Sequence, residues 1–273
     1  MKKNLYRLLF STFTILTLFA CENESISTLN TQTVIVEAYL YAGQTIDSIR
    51  ITQSNSYASS DTQLITLDRL DILISDGDRS AYLESKDNGY YHLADWLIET
   101  EKTYQIQVEN PEYAIESQTY VPAQAAVQIS EDEVSMQKIE GFPTGGITLP
   151  DPIDVTWENN NGDYFYVVIN NLEEEPEYVN SFLEDPDSPA RQFSFRTEPA
   201  VSDFHLINPR RDIQQFGTHQ IIVYRVNPEY AALYESTGST TLSLADPPSN
   251  IENGLGIFTG VSSDTVYLEV KKL

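Results

Sequence analysis

The stretch Val34-Ile35-Val36-Glu37-Ala38-Tyr39-Leu40 has a small or aliphatic residue at every second position and a mixed set of residues between them. Apolar residues recur at every second position from Val34 to Leu40, and Glu37 falls between them. Successive side chains of a β-strand point to opposite faces of the sheet, so this order places one face in a core and the other towards solvent. The stretch therefore predicts a β-strand that is buried on one face.

The same period of two recurs along the first half of the chain, with turn signals between the runs. Tyr104–Val108 alternates apolar with polar residues, and Trp96 is expected in the core. The dipeptides Asp76-Gly77 and Asn88-Gly89 favour tight hairpin turns. About seven short strands at this spacing predict a β-sandwich over residues 33–122. The Gly-Tyr-Tyr and Thr-Tyr-Gln-Ile-Gln-Val runs resemble those of immunoglobulin-like or prealbumin-like domains.

A second β-rich domain is predicted over residues 123–273, after a boundary near Pro122. Tyr164–Ile169 is apolar on both faces, which indicates a central strand. Asn227-Pro228-Glu229 is typical of a helix start, and Gly238 of its end. Other strands are predicted at Ile153–Trp157, Gln192–Arg196, Gln220–Val226 and Val266–Val270. The fold class is therefore mainly all-β, with two sandwich-like domains and one short helix in the second.

The N-terminal segment has the layout of a secretory signal. Three basic residues precede an apolar run over residues 8–20, which is shorter than the roughly 20 residues of a membrane span. The run ends in Leu18-Phe19-Ala20-Cys21, which resembles the lipobox of bacterial lipoproteins. The resemblance implies cleavage after residues 1–20 and a lipid on Cys21. An ordinary signal with a chance cysteine is the alternative.

The residues after Cys21 predict where the anchored protein lies. Residues 21–32 are polar and are expected to form a short tether between lipid and fold. Glu22 and Glu24 resemble the acidic surface-export signal of Bacteroidota lipoproteins, although Asn23 interrupts it. A simple solvated tether explains the same residues. We expect an outer-membrane protein anchored through lipid on Cys21 and facing the cell surface.

The composition limits the partners and the means of stabilisation. The chain has 16 Lys and Arg against 41 Asp and Glu, a formal net charge of -25. Such a charge repels nucleic acid and anionic lipid headgroups, and it suits a basic partner or solubility outside the cell. Cys21 is the only cysteine, so a disulfide within the chain is excluded. Stability must therefore come from the cores and the sheets.

Three stretches resemble the Bacteroidota lipoproteins grouped as domain of unknown function 4249. They are Val34–Leu40, Ile74–Asp78 with the hairpin at Gly89-Tyr90-Tyr91, and Pro248–Phe258. In the third stretch the family usually has a glycine pair, and Asn253 replaces its first glycine. Asn tolerates positive φ better than most residues. The resemblance implies an outer-membrane lipoprotein encoded beside TonB-dependent receptor-like barrels, and it implies no activity.

No motif in the sequence specifies a catalytic or metal-binding chemistry. His92, His205 and His219 lack the spacing of a helical zinc site and are expected as unpaired surface or strand residues. Asp76 and Asp78 share a turn that could bind calcium, although solvated carboxylates are the simpler interpretation. We therefore predict no catalytic residue, no metal ligand and no cofactor, with calcium as the weaker alternative.

The candidate partner contacts are aromatic residues and one loop. Tyr residues are enriched at binding hot spots, although most Tyr on strands cover the edge of a core. Tyr230 and Tyr234 share one face of the predicted helix, and Tyr113 and Tyr120 lie near the domain joint. The loop 247–258 adds further candidates, and a tight turn packed as structure is its alternative role. The predicted loop contacts are Asn250, Gly254 and Phe258.

These features lead to three hypotheses about function. The first is a non-enzymatic accessory protein that binds a TonB-dependent receptor-like barrel or another outer-membrane complex. The second is a lipoprotein that binds a glycan or a peptide directly through exposed Tyr. The third is a hydrolase, which would need two converging carboxylates or a His beside a Ser.

Overall fold

The computed structural model describes most of the chain after the predicted tether. The described residues are 33–55, 64–110, 113–140, 150–185, 187–188, 190–238 and 248–273. The predicted signal, the tether and Cys21 lie outside them. Within these residues, no helix combines the length and the apolar character needed to cross a bilayer.

The described residues fold mainly into β-strands, which confirms the predicted class. The first half contains β1 Val34–Tyr41, β2 Thr45–Gln53, β3 Ile65–Thr66, β4 Ile72–Ser75, β5 Ser80–Tyr82, β6 Glu84–Ser85, β7 Tyr90–Leu97, β8 Lys102–Glu109 and β9 Ala114–Val121. The second half contains β10 Gln128–Ile129, β11 Glu133–Met136, β12 Ile153–Thr156, β13 Tyr164–Asn171, β14 Ser194–Arg196, β15 Ala200–Val201, β16 Phe204–Ile207, β17 Gly217–Val226, helix α1 Pro228–Gly238 and β18 Leu255–Lys272.

One large sheet runs through both halves of the described chain. Its strand order is β14-β13-β17-β18-β1-β2-β7-β6. Three further short strands join it: β11 pairs with β18, β15 with β13 and β3 with β2. A four-stranded sheet, β5-β4-β8-β9, belongs to the first half, and a three-stranded sheet, β10-β12-β16, belongs to the second. Each smaller sheet contributes residues to one hydrophobic core together with part of the large sheet.

The first core confirms the alternation read from the sequence. The four apolar residues at alternate positions of β1 are all buried, and Val36 and Ala38 have no exposed surface. Trp96 is 3% exposed and contacts Tyr104 in the same core, with the ring centroids 6.4 Å apart. Removing these apolar surfaces from water is the main stabilisation that a protein without disulfides can use.

The second core lies between the three-stranded sheet and the other end of the large sheet. It contains Val155 of β12, Ile169 of β13 and Leu268 of β18, each with no exposed surface. β13 pairs with β17 on one side and with β14 and β15 on the other, as predicted for a central strand.

Strand β18 belongs to both halves. Its first part, Leu255–Val261, pairs in parallel with β1, and Val261–Val270 pairs antiparallel with β17. Phe258 consequently lies in the first core and Leu268 in the second. The division at residues 122 and 123 stays a prediction, since the first core also takes residues from the C-terminal end of the chain.

Two glycines allow β18 to approach its neighbours. A Cβ atom on Gly256 would lie 2.0 Å from the carbonyl oxygen of Val36, and Gly256 has a φ of +107°. A Cβ atom on Gly260 would lie 2.4 Å from the carbonyl oxygen of Tyr120 in β9. Side chains cannot occupy these positions, so the close contact of β18 with β1 and β9 depends on both glycines.

The local turn and helix signals are also confirmed. Asp76-Gly77 connects β4 to β5, and Asn88-Gly89 immediately precedes β7. The helix begins at Pro228, and the carbonyl of Asn227 accepts hydrogen bonds from the amides of Tyr230 and Ala231.

His219 of β17 is a buried core residue rather than a surface one. Its Nδ1 lies 3.0 Å from the carbonyl oxygen of Gly217, and its Nε2 lies 3.4 Å from Nδ2 of Asn171. These partners suit a neutral imidazole that donates from Nδ1 and accepts at Nε2. Burial lowers the pKa of His219, outweighing the hydrogen bond to Gly217 and the carboxylates of Glu269 and Glu173, which raise it.

We predict that Gly256→Ala destabilises the fold by more than about 3 kcal/mol, because it adds both backbone strain and a steric clash with β1. Gly77→Ala is the matched control, since Gly77 has a φ of +89° but nothing within 4 Å of an added Cβ. It should cost about 1–2 kcal/mol. The measurement is the free energy of unfolding in urea, and equal losses in the two variants would contradict the prediction.

We also predict that His219 makes the protein less stable in acid. Below its ordinary pKa of about 6.5, the unfolded chain binds a proton at this position while the native state stays neutral. The free energy of unfolding should therefore fall from about pH 6.5 towards pH 5, by about 1.4 kcal/mol for each unit by which the pKa is lowered.

His219→Gln should reduce that slope while leaving the profile above pH 7 parallel to that of the unsubstituted protein. Thermal unfolding across this pH range provides the measurement. An unchanged slope between pH 6.5 and pH 5 would show that His219 does not carry the effect.

Candidate functional site

Tyrosine side chains gather on the outer face of the large sheet, beside helix α1. Along β13, Tyr166 alternates with the core residues Phe165 and Val167, and it lies directly opposite Tyr224 of β17. Because the inner positions of β13 are used by the second core, its other face is left to the aromatic residues. The tyrosine–arginine cluster is defined here as Tyr39, Tyr166, Tyr224, Tyr230, Tyr234 and Arg196.

Two rings of this cluster stack on Tyr166. Its centroid lies 4.7 Å from that of Tyr224 and 5.7 Å from that of Tyr230, with nearly parallel planes. Tyr39 of β1 meets Tyr230 edge-on at 6.3 Å. Such aromatic pairs contribute about 0.5–1.5 kcal/mol each beyond the area that they bury. The stack therefore fixes α1 on the sheet.

Arg196 of β14 supplies the positive charge of the cluster. Its guanidinium carbon lies 4.4 Å from the ring centroid of Tyr166 and 5.8 Å from that of Tyr234, and its Nη2 donates to the hydroxyl of Tyr230. Burial raises the pKa values of Tyr39, Tyr166 and Tyr224, and it outweighs the charge of Arg196, which lowers them. Arg196 itself remains exposed.

The predicted contacts Tyr230 and Tyr234 thus lie together, half-buried, beside an exposed arginine. Tyr and Arg are, together with Trp, the residue types enriched at protein–protein hot spots. The arrangement suits the docking of a protein surface.

A second feature is a cleft between strands β8 and β9 of the four-stranded sheet, the start of α1 and the loop before β18. This junction cleft has a volume of about 700 Å³. It is lined by Thr103, Gln105, Glu116, Ser117, Gln118, Thr119, Tyr120, Asn227, Pro228, Glu229, Asn250 and Glu252.

The buried hydroxyl of Thr119 holds the junction cleft together. Its Oγ1 accepts from Nδ2 of Asn227 at 3.0 Å and from the amide of Gly260 at 2.9 Å, and it donates to Oε1 of Glu229 at 3.2 Å. The neighbouring Ser117 Oγ donates to the carbonyl oxygen of Asn250 at 2.7 Å. Strand β9, helix α1 and strand β18 are therefore joined at one point.

The three predicted contacts of the loop have different positions. Asn250 lines the junction cleft, and its side chain pairs with the backbone of Phe258, accepting from the amide at 3.0 Å and donating to the carbonyl at 2.7 Å. The ring of Phe258 is fully buried in the first core. A Cβ atom on Gly254 would lie 3.1 Å from the carbonyl oxygen of Val34. Of the three, Asn250 lines the junction cleft, and a partner contact by these residues stays a prediction.

Asn253 takes the conformation expected where the family has a glycine. Its φ is 56°, and its Nδ2 donates to the carbonyl oxygen of Ala114 in β9 at 2.9 Å. The side chain thus adds a bond to β9 that glycine could not make.

The carboxylate of Asp76, a calcium candidate from the sequence, is engaged by the protein itself. It accepts from the amides of Asp78 and Arg79, from Nε of Arg79 at 3.1 Å and from Nζ of Lys102 at 3.4 Å. Burial would raise the pKa of Asp76, but these hydrogen bonds outweigh burial and hold it below the usual value. Across the part of the chain that the structure describes, no group of three carboxylate, imidazole or thiolate side chains could hold a metal ion.

Several members of both features were not predicted from the sequence. Tyr166, Tyr224 and Arg196 join the cluster only through strand register, although the alternation of Tyr166 with apolar neighbours was a visible signal. Tyr120, noted near the domain joint, does line the junction cleft. Its neighbours Glu116 and Gln118 resemble the polar positions of any exposed strand.

Comparison with solved structures gives only distant likenesses. The FN1-FN3 domains of chicken CNTN1 are 11% identical, with a TM-score of 0.29 over 89% of this chain and 68% of that chain. The alpha-2-macroglobulin of Escherichia coli is 9% identical, with a TM-score of 0.23 over 88% of this chain and 23% of that chain. Likenesses at this level carry no information about function. No curated protein matches the sequence of the chain.

The sequence family is clear. The model of the family described as "Domain of unknown function (DUF4249)" matches residues 21–266, which include the first core, helix α1 and most of β18. The matched range also includes the second core except for Leu268 and Val270. The family expected from the three quoted stretches is thus confirmed, and this chain belongs to the DUF4249 family.

Proposed function

We propose that this protein is a lipid-anchored, non-enzymatic accessory protein of the outer membrane, which docks onto a TonB-dependent receptor-like barrel or a similar complex. The observation that supports the proposal is the tyrosine–arginine cluster. It joins the two predicted helix contacts, Tyr230 and Tyr234, to an exposed arginine on one surface.

The predicted anchor keeps this surface close to the membrane. A tether over residues 21–32 spans at most about 40 Å even when fully extended. Strand β1 follows the tether at once, and Tyr39 of β1 belongs to the cluster. A barrel embedded in the same membrane therefore lies within reach of the cluster.

The charge of the protein favours a protein partner over the lipid surface. A net charge of -25 repels anionic headgroups. We therefore expect the tether to hold the folded part of the chain away from the bilayer surface. Contact through aromatic rings and Arg196 does not need an anionic surface.

A glycan- or peptide-binding protein is the second candidate function. The junction cleft, with its polar lining and the exposed ring of Tyr120, favours it. Such an activity is compatible with docking, since the lining residues of the cleft and the members of the cluster are different residues.

We predict that Arg196→Ala weakens the association with a barrel by about 30-fold, because a hot-spot residue contributes about 2 kcal/mol or more. The measurement is co-purification of the full chain from detergent-solubilised membranes, followed by mass spectrometry of the recovered proteins. Arg210→Ala, which removes another exposed arginine, should leave the recovery unchanged. Recovery of the unsubstituted protein without any barrel partner would count against the proposal.

The anchor itself gives a separate prediction. Cys21→Ser should move the protein from the membrane fraction to the soluble fraction, because it removes the sulfur that would carry the lipid. Ser25→Ala in the tether is the control and should stay with the membrane. Mass spectrometry of the mature amino terminus would show whether the lipid is present, and a Cys21→Ser protein that sediments with membranes would refute the anchor.

A further inference from the structure

We infer that the junction cleft is a binding site for a neutral carbohydrate. This inference goes beyond the docking proposal, because it concerns a different surface and does not depend on a barrel partner. Three observations support it: the chemistry of the lining residues, the hydrogen bonds that fix them, and the hydrogen bonds that already occupy the edge of β9.

The floor of the cleft is a polar platform on the outer face of β8 and β9. Gln105 lies opposite Gln118, and Thr103 lies opposite Tyr120, in the register of the two strands. The ring of Tyr120 is 46% exposed. An exposed aromatic face can cover the apolar C–H face of a sugar ring, while the neighbouring amides bind hydroxyl groups.

The walls of the cleft add hydrogen-bond acceptors. Glu229 comes from α1 and Glu252 from the loop before β18, and Glu116 stands beside the platform. A carboxylate has about four acceptor sites, and its bidentate shape suits two adjacent hydroxyl groups that both donate. None of the described residues lining the cleft carries a positive charge, so phosphate, sulfate and uronate groups are disfavoured.

The binding groups are held in place before a ligand arrives. Gln105 donates through Nε2 to Oε1 of Glu116, and Glu229 accepts the hydroxyl of Thr119 at 3.2 Å. Each of these bonds uses one acceptor site of a carboxylate and fixes its orientation. A site fixed in this way loses little conformational entropy on binding. A volume of about 700 Å³ lies within the usual range for small-ligand sites.

A peptide is the less favoured ligand, because the outward edge of β9 is already occupied. The carbonyl oxygen of Glu116 accepts from the amide of Glu252 at 2.8 Å. The carbonyl oxygen of Tyr120 accepts from Asn227 at 2.7 Å, and that of Ala114 accepts from Asn253 at 2.9 Å. An extended peptide binds a sheet edge through these same backbone groups, so strand addition is blocked at three positions.

The test measures binding of neutral oligosaccharides to the full chain in a detergent without a sugar headgroup. The probes are hexamers of neutral hexoses (cello-, malto- and manno-oligosaccharides), with an oligogalacturonate and a mixed peptide library for comparison. We expect at least one neutral hexamer to bind by calorimetry, and the oligogalacturonate to bind at least tenfold more weakly. Absence of binding by a broad panel of neutral glycans, or preferential binding of the peptides, would overturn the inference.

Two variants locate the binding within the molecule. Tyr120→Ala and Gln118→Ala change exposed side chains of the platform and should each weaken the binding at least tenfold. Tyr82→Ala removes another exposed tyrosine, 55% exposed, from β5 of the same four-stranded sheet and should leave the affinity unchanged. Unfolding curves of all three variants exclude loss of the fold. Equal binding by Tyr120→Ala and the unsubstituted protein would place the carbohydrate elsewhere.

The two proposals fail separately. Tyr120→Ala should still co-purify with a barrel, and Arg196→Ala should still bind the oligosaccharide. If only docking fails, the carbohydrate proposal is not contradicted. If only carbohydrate binding fails, the docking proposal is not contradicted.

Discussion

The parallel pairing of β1 with the first part of β18 is the interaction on which the rest of the structure depends. It places Leu255–Val261 beside Ile35–Tyr41, two segments from opposite ends of the described chain. Parallel strands need a crossover connection, and here residues 42–254, which include all the other strands of both halves, form that connection. Because the entropy of loop closure rises only slowly with length, burying Ile251 and Phe258 in the first core can offset the cost.

The geometry of the junction cleft follows from the same pairing. Once Phe258 is fixed in the first core, Asn250 is held by its two hydrogen bonds to the Phe258 backbone. The carbonyl of Asn250 then meets Ser117, and Gly260 brings its amide to Thr119. The cleft therefore lies where it does because β18 fits between β1 and β9, and glycines at 256 and 260 are what permit that fit.

Sequence reasoning succeeded where structure is decided by neighbours along the chain. The alternation from Val34 to Leu40, the Asn88-Gly89 turn and the helix start at Asn227-Pro228 all depend on local geometry, and all were predicted. The sharing of β18 was not predicted, because its pattern at Val266–Val270 describes one buried face and carries no information about a distant parallel partner. The stacking of Tyr166 on Tyr224 was missed for the same reason, since it depends on the register of β13 with β17. The burial of His219 likewise reflects packing and has no local signature.

Helix α1 links the two surfaces that we assign to binding. Its first residues, Pro228 and Glu229, line the junction cleft, and its next residues carry Tyr230 and Tyr234 of the tyrosine–arginine cluster. A helix of 11 residues is marginally stable alone, so its position is set by tertiary contacts. Those contacts are the bonds from Asn227 to Thr119 and Tyr120 at the start of the helix, the stacking of Tyr230 on Tyr166 and the contact of Tyr234 with Arg196. A variant that loosens the helix would therefore disturb both surfaces, whereas residues on β9 and β14 belong to only one surface each. Substitutions on those two strands are consequently the ones that can separate carbohydrate binding from docking.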